Sequence, residues 1–442
     1  MGPWLDSLNL WLTAHPQWLG LAIFTVAFIE CLAVAGIVVP GTVVLFAVAV
    51  LAGGGALSLG ETLLLAYAGG LLGDAVSYTL GRKCHNSIRR LPLLRTHPEW
   101  IGTAETYFHR YGIASLLVGR FIGPLRPMLP MIAGMFEMPL LRFIAVSMVA
   151  AAGWSVAYML PGWATGAAMR LPLPEGFWPE AGVVAAGFAV LLGVSVHVSW
   201  RGHPKSTLIV SLASLAMLAG LFFGWPLLNH LDQGLMTLIQ ENRHTGVDGY
   251  VVMVTRMGDF RNQLIAAVLL TCLLLLTRQW RHALFAGGAM LCTALANGAL
   301  KGWFARIRPE VLSEPLTTFS MPSGHSSAAF AFFLCMAVLA GRGQPPRMRL
   351  TWLVLAGLPA LSIALSRVYL GVHWPTDIMA GAMLACAVCA ASLTLIEWRQ
   401  PLPALPLRVW WVILPLVLAL LAFSMFYALP GALERYHYPV PN

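Results

Sequence analysis

The sequence predicts an all-α protein that crosses the membrane many times. Three observations lead to this prediction: apolar residues make up 58% of the 442 residues, charged residues only 10%, and the apolar residues occur in long blocks. An average soluble domain carries about 25% charged residues, and a membrane β-barrel would need alternating apolar and polar positions. The composition therefore excludes an ordinary soluble protein, and its hydrophobicity excludes a disordered one.

The balance of charge is basic, with 27 Lys and Arg against 18 Asp and Glu and a net charge of +9. In a membrane protein this excess is typical of cytoplasmic loops that face anionic lipid. The sequence contains no dense run of Lys and Arg interleaved with aromatic residues, so we expect no nucleic-acid partner. It contains no Cys framework with zinc-ligand spacing and no carboxylate cluster with Mg²⁺ or Ca²⁺ spacing, so we expect neither a metal site nor another cofactor.

The length favours more than one domain, and a candidate boundary lies near the middle of the chain. An apolar stretch ends near Trp200, the segment Arg201-Gly-His-Pro-Lys205 follows, and a new apolar run begins at Thr207. Short charged links that contain Gly and Pro are typical of domain boundaries. We predict a first domain at 1–200, a cytoplasmic linker at 201–206 and a second domain at 207–430.

The second domain is predicted to be a transmembrane helical bundle. Apolar stretches of about 20 residues, the length that a bilayer requires, lie roughly at 207–228, 262–278, 283–303, 324–341, 350–370, 376–396 and 408–429. Between alternate stretches lie positive clusters: Arg278 and Arg281; Arg342, Arg347 and Arg349; Arg399 and Arg408. With the linker they fall on one side, which the positive-inside rule makes cytoplasmic. The opposite span ends, around 301–325 and 366–377, are then expected to face outward.

The first domain contains two interrupted apolar segments, 18–55 and 111–136, each broken by several Gly and Pro residues. Breaks at membrane depth leave backbone groups unpaired, and two such segments are typical of re-entrant hairpins around a transport site. Two Pro-kinked spans are the alternative. Between them, the basic amphipathic stretch 82–110 predicts a cytoplasmic surface helix. Regular spans are predicted at about 140–162 and 180–199.

Charged side chains are costly near a bilayer, so those at span ends are candidates for function. The second domain has three such ends, all on the predicted outward side: Lys301-x6-Arg308-Pro309, Pro322-Ser323-Gly324-His325, and Ser366-Arg367-x5-His373-x3-Asp377. Each alone is ordinary, as a loop, a snorkelling arginine or a structural His–Asp pair. Together, in this order and on one side, they indicate one site.

These residue types suit phosphoryl transfer. Lys301, Arg308 and Arg367 are three cations for one phosphoryl group, and the Ser323-Gly324 backbone at a helix start offers free N–H groups to an anion. Asp377 is four residues from His373, hence on one helical face if that helix has begun, and can orient the imidazole. With His325 as a second histidine, one imidazole can attack phosphorus while the other protonates the leaving oxygen.

This three-part pattern resembles the signature of the type 2 phosphatidic acid phosphatases over about 207–400. The resemblance implies a metal-independent lipid phosphatase. It implies His373 as the nucleophile that forms a phosphohistidine, Asp377 as its orienter, and His325 as the acid and then the base. It also implies a phosphate site formed by Lys301, Arg308, Ser323, Gly324 and Arg367. The family acts on several lipid phosphates and diphosphates, so the resemblance leaves the substrate open.

In the first domain the costly charges are Glu30, Asp74, Arg120 and Arg126. Near the midplane they could neutralise one another as structural ion pairs, or pass a lipid phosphate headgroup. Their surroundings resemble the DedA family over about 20–170, through the segments Glu30…Val39-Pro40-Gly41, Gly73-Asp74-x3-Tyr78-x2-Gly81-Arg82 and Gly119-Arg120-Phe121-x4-Arg126-Pro127-x2-Pro130-x2-Ala133-Gly134. The resemblance implies a lipid transporter or flippase. Thr42 stands where many members carry an acidic residue, so a second carboxylate for proton coupling is missing there.

Taken together, the sequence predicts a bacterial inner-membrane protein in which a DedA-like lipid transporter is fused to a lipid phosphatase whose site faces the periplasm or cell exterior. The predicted partners are membrane lipids and a phosphorylated lipid, best undecaprenyl diphosphate, whose hydrolysis to undecaprenyl phosphate would supply the first domain. The open alternatives are a phosphatidic acid or phosphatidylglycerophosphate phosphatase, a lipid phosphotransferase, and a first domain that only anchors the enzyme. The oligomeric state is open, a homo-oligomer included.

Overall fold

The fold was obtained as a computed structural model that describes residues 15, 18–33, 35–38, 41–88, 102, 105, 106, 108, 112–120, 126–203, 205–311, 317–427 and 429–436. These residues form helices and loops and include no β-strand. Nine of their helices are long and apolar enough to cross a membrane, or ten if one bent pair counts as a span. The predicted all-α, multi-spanning fold is confirmed. The chain divides into two compact units, 1–173 and 174–442.

The first unit contains, in chain order, α1 Leu19–Cys31, α2 Ala35–Val38, α3 Gly41–Leu51, α4 Leu59–Ile88, α5 Ile113–Gly119, α6 Met128–Met135 and α7 Leu140–Arg170. Both interrupted segments are broken as predicted: the first into α1, α2 and α3, the second into α5 and α6. The pieces are shorter than a span, as re-entrant hairpins require. Most of the predicted surface helix at 82–110 lies outside the described residues.

In the first unit α1 and α6 pack against α4, whereas α3 and α5 pack against α7. The backbone of α4 approaches that of α6 at two positions, Gly81 beside the carbonyl of Met131 and Gly134 beside that of Tyr78. Tyr78 stacks on Phe143 of α7, with 4.2 Å between ring centroids. Small residues at helix contacts let membrane helices approach closely, so α4 and α7 together hold the pieces of the two broken segments.

The second unit contains α8 Phe177–Trp200, α9 Ser206–Gly224, α10 Asn229–Glu241, α11 Thr245–Arg256, α12 Phe260–Leu276, α13 Trp280–Phe304, α14 Gly324–Gly341, α15 Pro346–Tyr369, α16 Pro375–Ile396, α17 Leu407–Phe426 and α18 Leu429–Arg435. Eight of these match predicted spans within a few residues: α8 matches the span predicted at about 180–199, and seven others match the spans predicted from 207 onward. Helices α10 and α11 were not predicted, because both are amphipathic rather than uniformly apolar. A large apolar core, which includes the fully buried Phe285 and Phe332, joins α12, α13, α14, α16 and α17.

The residues predicted as a domain linker, 201–206, join α8 to α9, two helices that pack within the second unit. Glu180 of α8 also ties that helix to α10, since its carboxylate lies 2.6 Å from His230 Nδ1 and accepts the Leu231 N–H at 2.8 Å. A short charged loop is as typical of a turn between neighbouring spans as of a domain boundary. In the structure the division falls between residues 173 and 174 instead.

Candidate functional site

Four helix ends meet at one end of the second unit: the end of α13, the start of α14, the end of α15 and the start of α16. These ends and the loops beside them carry every residue predicted for the phosphate site. The structure brings all of them together: Lys301, Arg308, Ser323, Gly324, His325, Arg367, His373 and Asp377.

His373 lies at the centre of this cluster, with 1% of its surface exposed. Its Nδ1 is 3.3 Å from Asp377 Oδ2, the same oxygen that accepts the Trp374 N–H at 2.9 Å. The helix begins only at Pro375. The condition for a shared helical face, a helix that has begun at His373, is therefore not met: Asp377 meets His373 by folding back over the first turn of α16, in the manner of a capping carboxylate.

The other ring nitrogen of His373 faces Arg308. Arg308 Nη1 lies 3.0 Å from His373 Nε2 and donates to the Val372 carbonyl at 2.6 Å, while Nε donates to the Thr318 carbonyl at 2.6 Å. Burial, and then the positive charges of Arg308, Arg367 and Lys301, lower the pKa of His373 well below its ordinary 6.5. These surroundings disfavour the imidazolium form, and a neutral ring that donates Nδ1–H to Asp377 would leave Nε2 unprotonated.

The other two predicted cations are also fixed by the fold. Lys301 Nζ donates to the Phe319 carbonyl at 2.7 Å. Arg367 is 2% exposed and donates from Nη1 to Thr255 Oγ1 and Tyr436 OH, both at 2.9 Å. Its Nε has no acceptor among the described residues. A buried guanidinium with an unmet N–H is suited to a phosphate oxygen.

Ser323 caps α14, as its position in the motif predicts. Its Oγ accepts from the Ser326 N–H at 3.4 Å, and its own N–H donates to the Asp377 carbonyl at 3.0 Å. The first amides of a helix have no acceptor within it, which leaves those of Gly324 and His325 for an anion. A Cβ added at Gly324 would lie 3.5 Å from Asn297 Oδ1, an ordinary contact distance, so the position is not crowded.

His325 has a partner that sequence reasoning missed. Its Nε2 lies 3.0 Å from Oδ1 of Asp259, in the break between α11 and α12. The helices bend by 42° there. An Asp directly after a Gly, between two apolar stretches, was the available signal, but only the fold shows that it meets a histidine 66 residues away.

A second missed group lies behind Asp377. Arg306 donates from Nη1 to Asp377 Oδ1 at 2.8 Å and to Thr376 Oγ1 at 2.7 Å, and from Nη2 to Asp232 Oδ2 at 2.6 Å. Asp232 also accepts the Thr376 N–H at 2.9 Å. The indole of Trp225 covers the guanidinium at 4.4 Å. Asp377 is therefore held on two sides, by Arg306 on one oxygen and by the turn at His373 on the other.

The four charged residues of the first unit form two buried ion pairs. Arg126 Nη2 lies 2.7 Å from Glu30 Oε1, and Arg120 pairs with Asp74; each of the four residues is at most 5% exposed. Trp154, which was not predicted from the sequence, lies against both guanidinium groups. Its ring centroid is 5.1 Å from Arg120 Cζ and 4.7 Å from Arg126 Cζ. The structure thus places the predicted transport residues together around one indole ring.

Gly41 explains why the predicted Pro-Gly break accompanies Glu30. A Cβ at Gly41 would lie 2.2 Å from Glu30 Oε2, so the carboxylate that pairs with Arg126 would have to move aside. Glycine at the start of α3 lets the carboxylate keep this position. Pro40 itself lies outside the described residues.

Comparison with known families divides the chain in the same way as its charged clusters. Residues 39–164 match the family model of the VTT domain, and residues 282–401 that of the PAP2 superfamily. The first range includes Asp74, Arg120 and Arg126, and the second includes His325, His373 and Asp377. Asp232 and Asp259 lie outside both ranges.

Relatives of each half are found among known proteins. Inner membrane protein YabI of Escherichia coli is 30% identical over 244 residues, which cover 54% of this chain and 92% of that protein. Phosphatidylglycerophosphatase B of Bacillus subtilis is 37% identical over 95 residues, 20% of this chain and 46% of that protein. The crystal structure of a transmembrane PAP2 type phosphatidylglycerolphosphate phosphatase from Bacillus subtilis aligns at 20% identity and a TM-score of 0.33, covering 49% of this chain and 96% of that one.

Proposed function

Because this chain belongs to the DedA family and carries a PAP2 superfamily domain in its second half, we propose that it is a lipid phosphatase fused to a lipid transporter. The observation that supports the phosphatase best is the setting of His373. One ring nitrogen faces Asp377 and the other faces Arg308, a cation that can bind the phosphate to be attacked. This is the arrangement that a histidine nucleophile requires.

The first half-reaction transfers the phosphoryl group to the enzyme. The cations Arg308, Lys301 and Arg367 bind the phosphate oxygens, together with the first amides of α14. His373 Nε2 then forms a bond to phosphorus as the bond to the leaving oxygen breaks, and His325 gives a proton to that oxygen. Asp377 accepts from Nδ1–H and stabilises the positive charge that develops on the ring.

In the second half-reaction His325 takes a proton from water, whose oxygen attacks phosphorus. The P–N bond breaks, inorganic phosphate leaves and His373 returns to its neutral form. Each step uses groups of this chain alone, so turnover is expected in metal-free buffer. We propose that the site faces the periplasm or cell exterior, because the positive loops lie at the other span ends.

As substrate we propose undecaprenyl diphosphate, with undecaprenyl phosphate as the product. The pairing of the two halves supports this choice, since the product is a lipid phosphate that the DedA half could return across the membrane. Phosphatidylglycerophosphate is the second candidate, favoured by the similarity of 95 residues to phosphatidylglycerophosphatase B. A phosphotransferase would use the same groups and differ only in the acceptor.

Hydrolysis by the purified protein tests the phosphatase. We expect phosphate release from a lipid panel in the presence of EDTA, its loss in His373→Ala, and its retention in His197→Ala, which replaces an exposed histidine of the same unit. Phosphate release that persists in His373→Ala would exclude this residue as nucleophile. If undecaprenyl diphosphate is not hydrolysed while phosphatidylglycerophosphate is, undecaprenyl diphosphate is excluded as the substrate. If a phosphorylated acceptor lipid forms in place of inorganic phosphate, the enzyme is a phosphotransferase.

For the first half we propose that the two buried ion pairs open to pass the phosphate headgroup of a lipid. Arg126→Ala should abolish movement of undecaprenyl phosphate across liposome membranes while the second half keeps its hydrolytic activity. Arg142→Ala, at an exposed arginine of α7, is the matched control. Normal transport in Arg126→Ala and in Arg120→Ala would leave the first half as an anchor or scaffold.

A further inference from the structure

The break between α11 and α12 contacts His325 at two points. Asp259 Oδ1 lies 3.0 Å from its Nε2, and a Cβ added at Gly258 would lie 3.0 Å from its Cδ2 and 2.5 Å from Ile363 Cγ2. The ring is thus held edge-on against a glycine and tied at one nitrogen by a carboxylate. This segment lies outside the residues that match the PAP2 superfamily.

The contact with Asp259 involves only one of the two ring nitrogens of His325. With Nε2–H donating to Asp259, Nδ1 has no partner among the described residues and is available to a substrate. Burial of the ring, and then the positive charges of Arg367 and Arg308, oppose a positive charge on His325, whereas the hydrogen bond and the charge of Asp259 favour one. An acid that must be an imidazolium in a site with three cations needs such a counter-charge.

We propose that Asp259 is a positioning residue of the phosphatase, which holds the His325 ring by Nε2 so that its other nitrogen protonates the leaving oxygen of the lipid. The inference rests on the proposed function and adds to it a second His–Asp pair. His373–Asp377 makes the new bond to phosphorus, and His325–Asp259 assists departure of the old one.

The proposed step is balanced. The His373 nitrogen donates its electron pair to phosphorus, the P–O bond to the lipid breaks, and the electrons of that bond remain on the leaving oxygen. The proton on His325 Nδ1 passes to this oxygen, which leaves as an alcohol. His325 becomes neutral and keeps its Nε2–H on Asp259, ready to accept a proton from water in the second half-reaction.

Two substrates with different leaving groups can distinguish the loss of a general acid from a general effect on folding. An alkoxide needs a proton as it leaves, whereas p-nitrophenolate leaves as a stable anion. We would measure kcat/KM, which reports steps up to departure of the leaving group, for a short-chain phosphatidic acid and for p-nitrophenyl phosphate, in wild type, Asp259→Asn and His325→Ala. Asp248→Asn, at a partly exposed aspartate paired with Arg243, is the matched control.

We expect Asp259→Asn to lower kcat/KM for phosphatidic acid by about 100-fold, the lower range of the contribution of general acids, and that for p-nitrophenyl phosphate by less than about fivefold. His325→Ala should show the same selectivity. Equal losses with both substrates, or no loss with either, would overturn the inference. Wild type that hydrolyses no phosphate ester would instead contradict the proposed function on which it rests.

Gly258→Ala gives an independent test if Asp259→Asn does not fold. The added methyl group presses on the His325 ring while Asp259 keeps its charge. The same selective loss with the alkyl phosphate is expected. Wild-type rates with both substrates in Gly258→Ala would show that the ring needs no support from this segment.

Discussion

Replacement of Arg306 is the most direct test of the buried network behind the proposed nucleophile. In Arg306→Met the side chain keeps much of its length but loses the hydrogen bonds to Asp232 and Asp377, at 2.6 and 2.8 Å. Both carboxylates are fully buried. Each would then lose the guanidinium that pairs with it, and Asp232 would keep the Thr376 hydroxyl, at 2.6 Å, as a neutral donor.

The expected cost is large. Removal of one partner from a buried ion pair costs about 3–5 kcal/mol, because the remaining charge is uncompensated. In a unit of this size each kcal/mol shifts the unfolding temperature by about 2–4 °C, so a loss of about 6–20 °C is expected. Phosphatase activity should fall as well, because Asp377 is then expected to take up a proton and to lose its hold on the His373 imidazole.

The assay is thermal unfolding of the purified protein in detergent, followed by intrinsic fluorescence, with Arg347→Met as the control at an exposed arginine. The double variant Arg306→Met, Asp232→Asn contains one buried negative charge fewer than Arg306→Met alone. It should be the more stable of the two, although it differs more from wild type. The reasoning is refuted if Arg306→Met unfolds within about 2 °C of wild type, or if the double variant is the less stable.

Three further predictions concern other contacts. The kcat/KM for hydrolysis should stay constant as the pH falls through 6.5. Burial and neighbouring cations lower the pKa of His373, and the neutral ring is the nucleophile. A fall of kcat/KM to half its maximum near pH 6.5 would contradict this. Tyr436→Phe removes the hydroxyl that accepts from Arg367 and should raise KM several-fold with little change in kcat, as measured with a soluble lipid phosphate. Gly41→Ala places a methyl group against Glu30 and should abolish lipid transport in liposomes while hydrolysis remains.

The sequence was sufficient for features that depend on local pattern. Helix α14 begins at Gly324 as its Ser-Gly motif predicts, because an N-cap serine acts within one turn. The breaks in the first unit also follow from Gly and Pro. The pairing of His373 with Asp377 was predicted for the wrong reason, since a spacing of four is equally compatible with a helical face and with a cap.

The aspartates that support the site could not be predicted from the sequence, because their contacts depend on tertiary structure. Asp232 meets the start of α16 across 144 residues, and Asp259 meets His325 across 66. Asp232 lies in the amphipathic helix α10, and Asp259 lies in the bent break between α11 and α12. Neither lies in one of the uniform apolar stretches from which spans are predicted. No pattern along the chain distinguishes them from aspartates in ordinary loops.

The ion pairs of the first unit have an electrical consequence. Glu30 and Asp74 cancel Arg126 and Arg120, so the empty cluster has no net charge. A phosphate headgroup that passes through it would be carried as an unbalanced anion, and each elementary charge moved against the membrane voltage costs about 2.3 kcal/mol per 100 mV. Inward transport in a cell with a negative interior would then run uphill unless a proton travels with the lipid. The rate of transport should therefore respond to the imposed voltage and to its polarity.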